Sequence, residues 1–362
     1  MSQRIEGRAV LTAGQTKELL NHMLQFGVFD HLDHNGTSLG EQFENRLKLI
    51  GVVEAEGYYA YHVAEHHSTR LGMAPSPSVF LAAVAQRTRR IKFGPLVYVL
   101  PLHHPLRLYE EICMLDHLSG GRLQLGIGRG GALLEHQRFG IDPATAQAMY
   151  HEAFAVLMQA CEAEVVNFDG RFYQFKDYLA VAKPVQRPHP PLWYGAPNAD
   201  AVPWAVTRGV NVISLGPAAR ARDIFSRYRD DWAAAGHKSS DLPMIGISRH
   251  IVVAETDGDA RRIADEAYRP WREALEFIWQ RSRLTFPLAE IYPQRFEELA
   301  AIGHGIAGSP TTVLAYLKQL TRETGVNYVA CHMIFGTMGF EAAATSLRLL
   351  AREVIPTLQP RP

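Results

Sequence analysis

Cysteine is scarce. The 362 residues hold three, Cys113, Cys161 and Cys331, far apart and each set in an apolar stretch. An odd, scattered set supports neither a disulfide framework nor a CxxC metal site, and reads as reduced core thiols in a cytoplasmic protein. Net charge is missing as well, with 37 Lys and Arg against 37 Asp and Glu. No basic excess exists to release counterions, which argues against a nucleic-acid partner held mainly by phosphate contacts. Docking to an anionic membrane gains no support either. No run approaches 18 consecutive apolar residues, so no membrane span is expected.

Near the start, Arg4, Glu6 and Arg8 leave no room for the apolar core of a signal peptide. What stands there is Ile5-Glu6-Gly7-Arg8, matching an engineered protease site, and His22-Met23, resembling a cloning junction. Residues 1–22 are therefore read as an N-terminal extension and set apart from a single domain over 23–362. That length is ample for a large core, and α/β barrels of this size form one unit.

From Met23 onward, short β-type runs alternate with amphipathic helical runs, the pattern of parallel strands joined by crossover helices. The strands are expected at 24–29, 59–64, 91–100, 123–127, 192–195, 210–214, 245–253 and 327–332. Ser76-Pro77 and Pro105 are helix starts, and Gly120-Gly121 is a stop. Helices are expected near 144–162, from Asn198, and near 219–235, 257–279, 311–323 and 340–352. Asp169-Gly170 centres a hairpin inserted at 165–175. Residues 281–308 read as irregular, with Phe286-Pro287 and Tyr292-Pro293, the kind of long loop that tends to be functional or mobile. About eight strands with interleaved helices make a (β/α)8 TIM barrel with insertions.

Active sites of such barrels lie at the carboxyl ends of the strands. Reading those ends gives Asp30-His31, then Glu65-His66-His67, then His103-His104, then Gly128-Arg129-Gly130-Gly131, and Ala196 to Asn198. Histidines converge at one mouth. An arginine in a glycine-rich turn faces a helix start on the next strand, which suits a phosphate, because glycine admits the ligand and arginine supplies a charged fork. His103 and His104 lack a third ligand at metal spacing, so no metal is expected. The run Gly126 to Gly130 lacks the GxGxxG spacing of a dinucleotide fingerprint.

The run Val63-Ala64-Glu65-His66-His67 resembles the bacterial luciferase-like flavin-dependent monooxygenases. So do Val99-Leu100-Pro101-Leu102-His103-His104-Pro105-Leu106-Arg107 and the stretch from Leu115-Asp116-His117 to Gly130. The resemblance extends from Met23 to Leu358. It implies a barrel that binds reduced FMN (FMNH2) delivered by a separate flavin reductase, adds O2 to give a C4a-peroxyflavin, and oxygenates a small organic substrate. By position it assigns His66 as the catalytic acid–base residue, and Leu96-Val97 as a non-proline cis peptide beneath the flavin ring. It assigns Arg129, beside Gly128, to the phosphate, and Gly195, Ala196 and Asn198 to the cofactor tail. A homodimer is the further expectation.

Departures from the family pattern are present too. The luciferases carry a reactive cysteine where this chain has Gly128, and hydroxyl and acidic side chains where it has Pro197, Asn198 and Ala201. Two other readings stay open at this point. One is a deazaflavin-dependent hydride-transfer oxidoreductase on the same fold, and the other is a non-catalytic flavin-binding paralogue. His67 is expected as a structural partner and Glu65 as a buried salt-bridge residue, because neighbours at a strand end point to opposite sides.

Overall fold

The structure is a computed structural model and describes residues 24–359. The N-terminal extension lies outside the described residues. Twelve strands run in chain order: β1 Gln25–Asp30, β2 Ala60–Val63, β3 Lys92–Pro95, β4 Tyr98–Val99, β5 Leu125–Gly128, β6 Val165–Asp169, β7 Gln174–Leu179, β8 Leu192–Gly195, β9 Asn211–Ser214, β10 Ile245–Val253, β11 Gly305–Gly308 and β12 Tyr328–His332. The main sheet has the order β3-β2-β1-β12-β10-β9-β8-β5-β4, and all of its pairings are parallel. β3 and β4 are two halves of one stave, and a parallel bridge from Phe93 to Leu123 joins the ends of the sheet. The result is a nearly closed α/β barrel, as the alternation implied.

Its interior is too narrow for side chains at every inward position. Phe29, Ala64, Leu96, Trp193, Ile213, Tyr328 and Ala330 fill it. Opposite Tyr328 the chain has Gly27, where a Cβ would sit 1.8 Å from the tyrosine oxygen. The crossover helices pack outside. They include α1 Leu39–Ala55, α2 Pro77–Arg87, α3 Pro105–Ser119, a short α4 Leu133–Arg138, and α5 Ala146–Glu162. Prolines open α2 and α3, where the missing N–H costs nothing, and Gly120 closes α3 at φ 64°. Farther on come α6 Val202–Val206, α7 Ala218–Ala234, α8 Asp257–Arg281, α9 Phe296–Ala301, α10 Pro310–Thr324, α11 Phe340–Leu349 and α12 Ile355–Leu358. β6 and β7 form the inserted antiparallel hairpin.

Four segments differ from expectation. The strand expected over 91–100 is broken by a cis peptide at Leu96–Val97, and Leu100–Leu102 is already a 3-10 turn before Pro105. The helix from Asn198 is a single 3-10 turn, Ala199–Ala201, followed by α6. Asn198 occupies the cap position without a side-chain capping bond. The irregular stretch 281–308 contains α9 and β11, and Phe286 is buried against Trp279. The final helix, expected over 340–352, widens into a π-helical turn at Leu350–Val354, just before Pro356. All three cysteines are free and buried, and burial pushes the Cys113 and Cys161 thiols up to about 11 and about 12.

Candidate active site

Four histidine rings gather at the carboxyl end of the barrel. His31 follows β1, His66 follows β2, His250 lies on β10 and His332 ends β12. They stack in sequence. His66 lies 5.5 Å from His31, His31 lies 5.0 Å from His332, and His332 lies 4.4 Å from His250 at an interplanar angle of 8°. Burial pushes the pKa of His31, His332 and His250 well down, and the neighbouring imidazoles push the same way. These three rings are therefore neutral at physiological pH, which is what lets them stack. Trp271 packs edge-on against His250, and its indole N–H points at His31 Nδ1, 3.4 Å away.

His31 and His66 were legible at strand ends. His250 and His332 were not singled out, although the β10–β12 register that pairs them puts both on the inner face.

His66 has a specific tether. Its Nδ1 lies 3.0 Å from Glu135 Oε1, with the histidine side chain 23% exposed and the glutamate 4%. A carboxylate at Nδ1 fixes the proton there and leaves Nε2 as the working nitrogen. Nε2 has no protein partner among the described residues. Glu135 sits on α4, which sequence periodicity did not reveal because the helix is only six residues long.

Glu65 turns the other way, into the protein. Its carboxylate accepts from His67 Nε2 at 2.8 Å, from His103 Nε2 at 2.9 Å and from the Val99 backbone N–H at 2.8 Å. Burial alone would raise its pKa, but these donors together hold it below the usual range. His103 also loses hydration, yet the bond and charge of Glu65 raise its pKa on balance. The expected roles of Glu65 and His67 agree with this geometry. His103 is committed to Glu65, and His104 faces the hairpin, with its ring 5.4 Å from Phe175.

The residues expected at the cofactor lie at the ends of β3, β5 and β8. Leu96 and Val97 form the cis peptide, and Val97 packs so closely on Gly128 that a Cβ there would lie 2.7 Å from its Cγ2. The cysteine of the luciferases therefore has no room at Gly128 without displacing Val97. Arg129 is exposed and its Nε donates to Gly130 O at 3.3 Å, within its own turn. Across from it, Gly195 borders open space and Ala196 is buried. Tyr150 on α5 adds a group that sequence reading passed over. Its hydroxyl is buried without a hydrogen-bond partner among the described residues, and its ring lies 6.4 Å from Tyr194, whose phenol feels the Arg129 charge.

A family model described as luciferase-like monooxygenase matches residues 23–328. The chain belongs to that family. Among curated relatives it is 36% identical over 339 residues to the uncharacterized protein y4wF of Sinorhizobium fredii, covering 94% of this chain and 98% of that one. It is 27% identical over 348 residues to the oxygenase component of the flavin-dependent trigonelline monooxygenase of Acinetobacter baylyi, covering 92% and 95%. In three dimensions it matches the oxygenating constituent of 3,6-diketocamphane monooxygenase from Pseudomonas putida, a type II Baeyer-Villiger enzyme solved in complex with FMN. The TM-score is 0.77 at 23% identity, over 92% of this chain and 98% of that one. Like its relatives, this luciferase-like monooxygenase is an enzyme, and no helix among its described residues is long and apolar enough to cross a membrane.

Proposed function

We propose that the chain is the oxygenase of a two-component system. It takes reduced FMN from a separate flavin reductase and uses O2 to oxygenate a small organic substrate at the histidine-lined mouth. The carrying observation is His66, tethered at Nδ1 by a buried carboxylate, with Nε2 free. An oxygenase-component relative supports the reductase partner.

The residues present fit a flavin mononucleotide. Leu96 and Val97 offer an apolar floor closely seated on Gly128. Arg129, Tyr150 and the open space at Gly195 offer a fork, a hydroxyl and room for a phosphorylated tail, with Ala196 and Asn198 beside them. Reduced flavin supplies the activation of dioxygen at its C4a carbon. This chain's part is different. The neutral imidazoles of His31 and His332 keep charge away from the reacting centre, and His66 Nε2 takes and returns a proton there. An imidazole polarised by a carboxylate partner is suited to both directions of transfer.

The test is to bind oxidised and reduced FMN, riboflavin and a deazaflavin to the purified protein. A reductase and candidate substrates are then added while oxygen uptake and product are followed. Oxygen-dependent product with FMN is expected. Turnover with reduced deazaflavin and no oxygen would replace this reading with hydride transfer, and flavin binding without any turnover would favour the paralogue.

A second expectation concerns the phosphate. Arg129→Ala should weaken FMN by roughly ten- to a hundredfold, the loss of one charge-assisted fork, and leave riboflavin nearly unchanged. Equal loss for both flavins, measured by fluorescence quenching, would place the phosphate elsewhere.

A further inference from the structure

Two adjacent buried side chains on α4 reach in different directions. Glu135 holds His66 Nδ1 at 3.0 Å. His136 holds the other arm, with Nε2 2.8 Å from the carbonyl oxygen of Arg129. A carbonyl only accepts, so His136 carries its proton on Nε2 and donates. Its Nδ1 is then an acceptor, buried and without a hydrogen-bond partner among the described residues. The rest of the helix is tied down as well. Arg138 Nη2 donates to Ser282 Oγ at 3.3 Å, and Phe139 stacks edge-on with His67 at 4.8 Å.

The turn that His136 grips is tightly packed. Gly130 has φ 87° and packs so tightly that a Cβ there would lie 2.7 Å from Val99 Cγ1 and 3.1 Å from His136 Cε1. The exposed Arg129 side chain is bonded only to Gly130 O of this same turn among the described residues. An anion that recruited the guanidinium would take it off that carbonyl, in the same turn whose Arg129 carbonyl His136 holds.

We propose that α4 is a clip coupling the two ends of the site. Phosphate at Arg129 sets the Gly130 turn, and through His136 and α4 it fixes Glu135 against His66 Nδ1. Binding of the phosphorylated cofactor and readiness of the acid–base residue are then one equilibrium, with Glu135 and His136 as positioning residues. The inference rests on the reading above that Arg129 meets the cofactor's phosphate.

The test uses the full chain labelled with 15N-histidine, with the His66 Nδ1–H resonance assigned by its loss in His66→Gln. Oxidised FMN, riboflavin, and riboflavin with inorganic phosphate are added in turn, and flavin fluorescence gives each affinity. FMN, and riboflavin with phosphate, should slow solvent exchange of the Nδ1 proton by about 5- to 100-fold, the usual range of such coupling. Riboflavin alone should not. In His136→Ala, FMN still binds but the slowing disappears. His136→Gln, whose amide N–H can still donate to Arg129 O, restores it. The proposal is overturned by equal slowing with FMN and riboflavin, or by a response that survives in His136→Ala. Should that variant not fold, the three ligands on the wild-type chain decide alone. Absence of any flavin binding overturns the cofactor reading itself, and the clip with it, and the fluorescence titration separates that failure from the others.

Discussion

His66→Ala is expected to lower substrate oxygenation by about 10²–10⁴, the usual contribution of a positioned proton-transfer group. Folding and affinity for oxidised flavin should be nearly intact, because the ring is partly exposed and its one bond is to Glu135. Oxygen should still be consumed by the bound reduced flavin. It should leave as hydrogen peroxide, since no group remains to hand the proton over at the right moment. Product formed per flavin oxidised is therefore the quantity to compare, and it separates this role from a binding role that would change KM alone. His66→Gln should be nearly as damaged, because an amide can bond but cannot titrate. Unchanged coupling in either variant would make the histidine structural.

Glu135→Gln tests the same mechanism at one remove. The amide can still accept from Nδ1–H but no longer balances an imidazolium. Oxygenation should fall by about ten- to a hundredfold, the range for partners that orient a functional histidine, with flavin affinity unchanged. An unaltered pH–rate profile in this variant would show that the carboxylate does not act through His66.

The sequence carried the barrel and part of the candidate site, for physical reasons visible in particular residues. Strand-to-helix alternation was plain because buried parallel strands are short apolar runs, as at Leu125–Gly128, where every residue is buried. The histidine after β2 and the arginine after β5 were singled out as candidates because strand ends mark the functional face of such barrels. The cis peptide at Leu96–Val97 came only through the family resemblance, since nothing in an apolar run such as Pro95-Leu96-Val97-Tyr98 distinguishes a cis bond. Glu135, His136 and Tyr150 stayed hidden for different reasons. The first two lie on a helix too short for periodicity. Tyr150 looks like any aromatic on the buried face of α5 until its hydroxyl proves to lack a partner among the described residues. His250 needed the strand register to reveal which way it points.

Glu65 should prove important for stability. Its buried carboxylate gathers three donors, two from histidines and one from the Val99 backbone, and so ties the turn after β2 to β4. Those are the segments that carry His66 and the Leu96–Val97 floor. In Glu65→Gln one amide oxygen is left to accept, and the NH2 faces at least one of the three donors. Breaking a buried ionic pair by removing one partner typically costs about 3–5 kcal/mol, which should appear as a clear fall in the thermal midpoint. The loss should depend on pH. The His103 pKa is raised in the folded protein, so its contribution is complete below the ordinary imidazole value of 6.5 and disappears as pH climbs through the raised one. The Glu65 pKa is lowered, so its contribution is complete above the ordinary carboxylate value of 4.5 and disappears as pH drops through the lowered one. Both contributions are complete only between those ordinary values. The gap in thermal midpoint between wild type and Glu65→Gln should therefore be widest near pH 5–6 and narrow on either side. A gap constant from pH 4 to pH 9 would mean that the histidine is not charged against Glu65, and that neutral hydrogen bonds alone hold the floor in place.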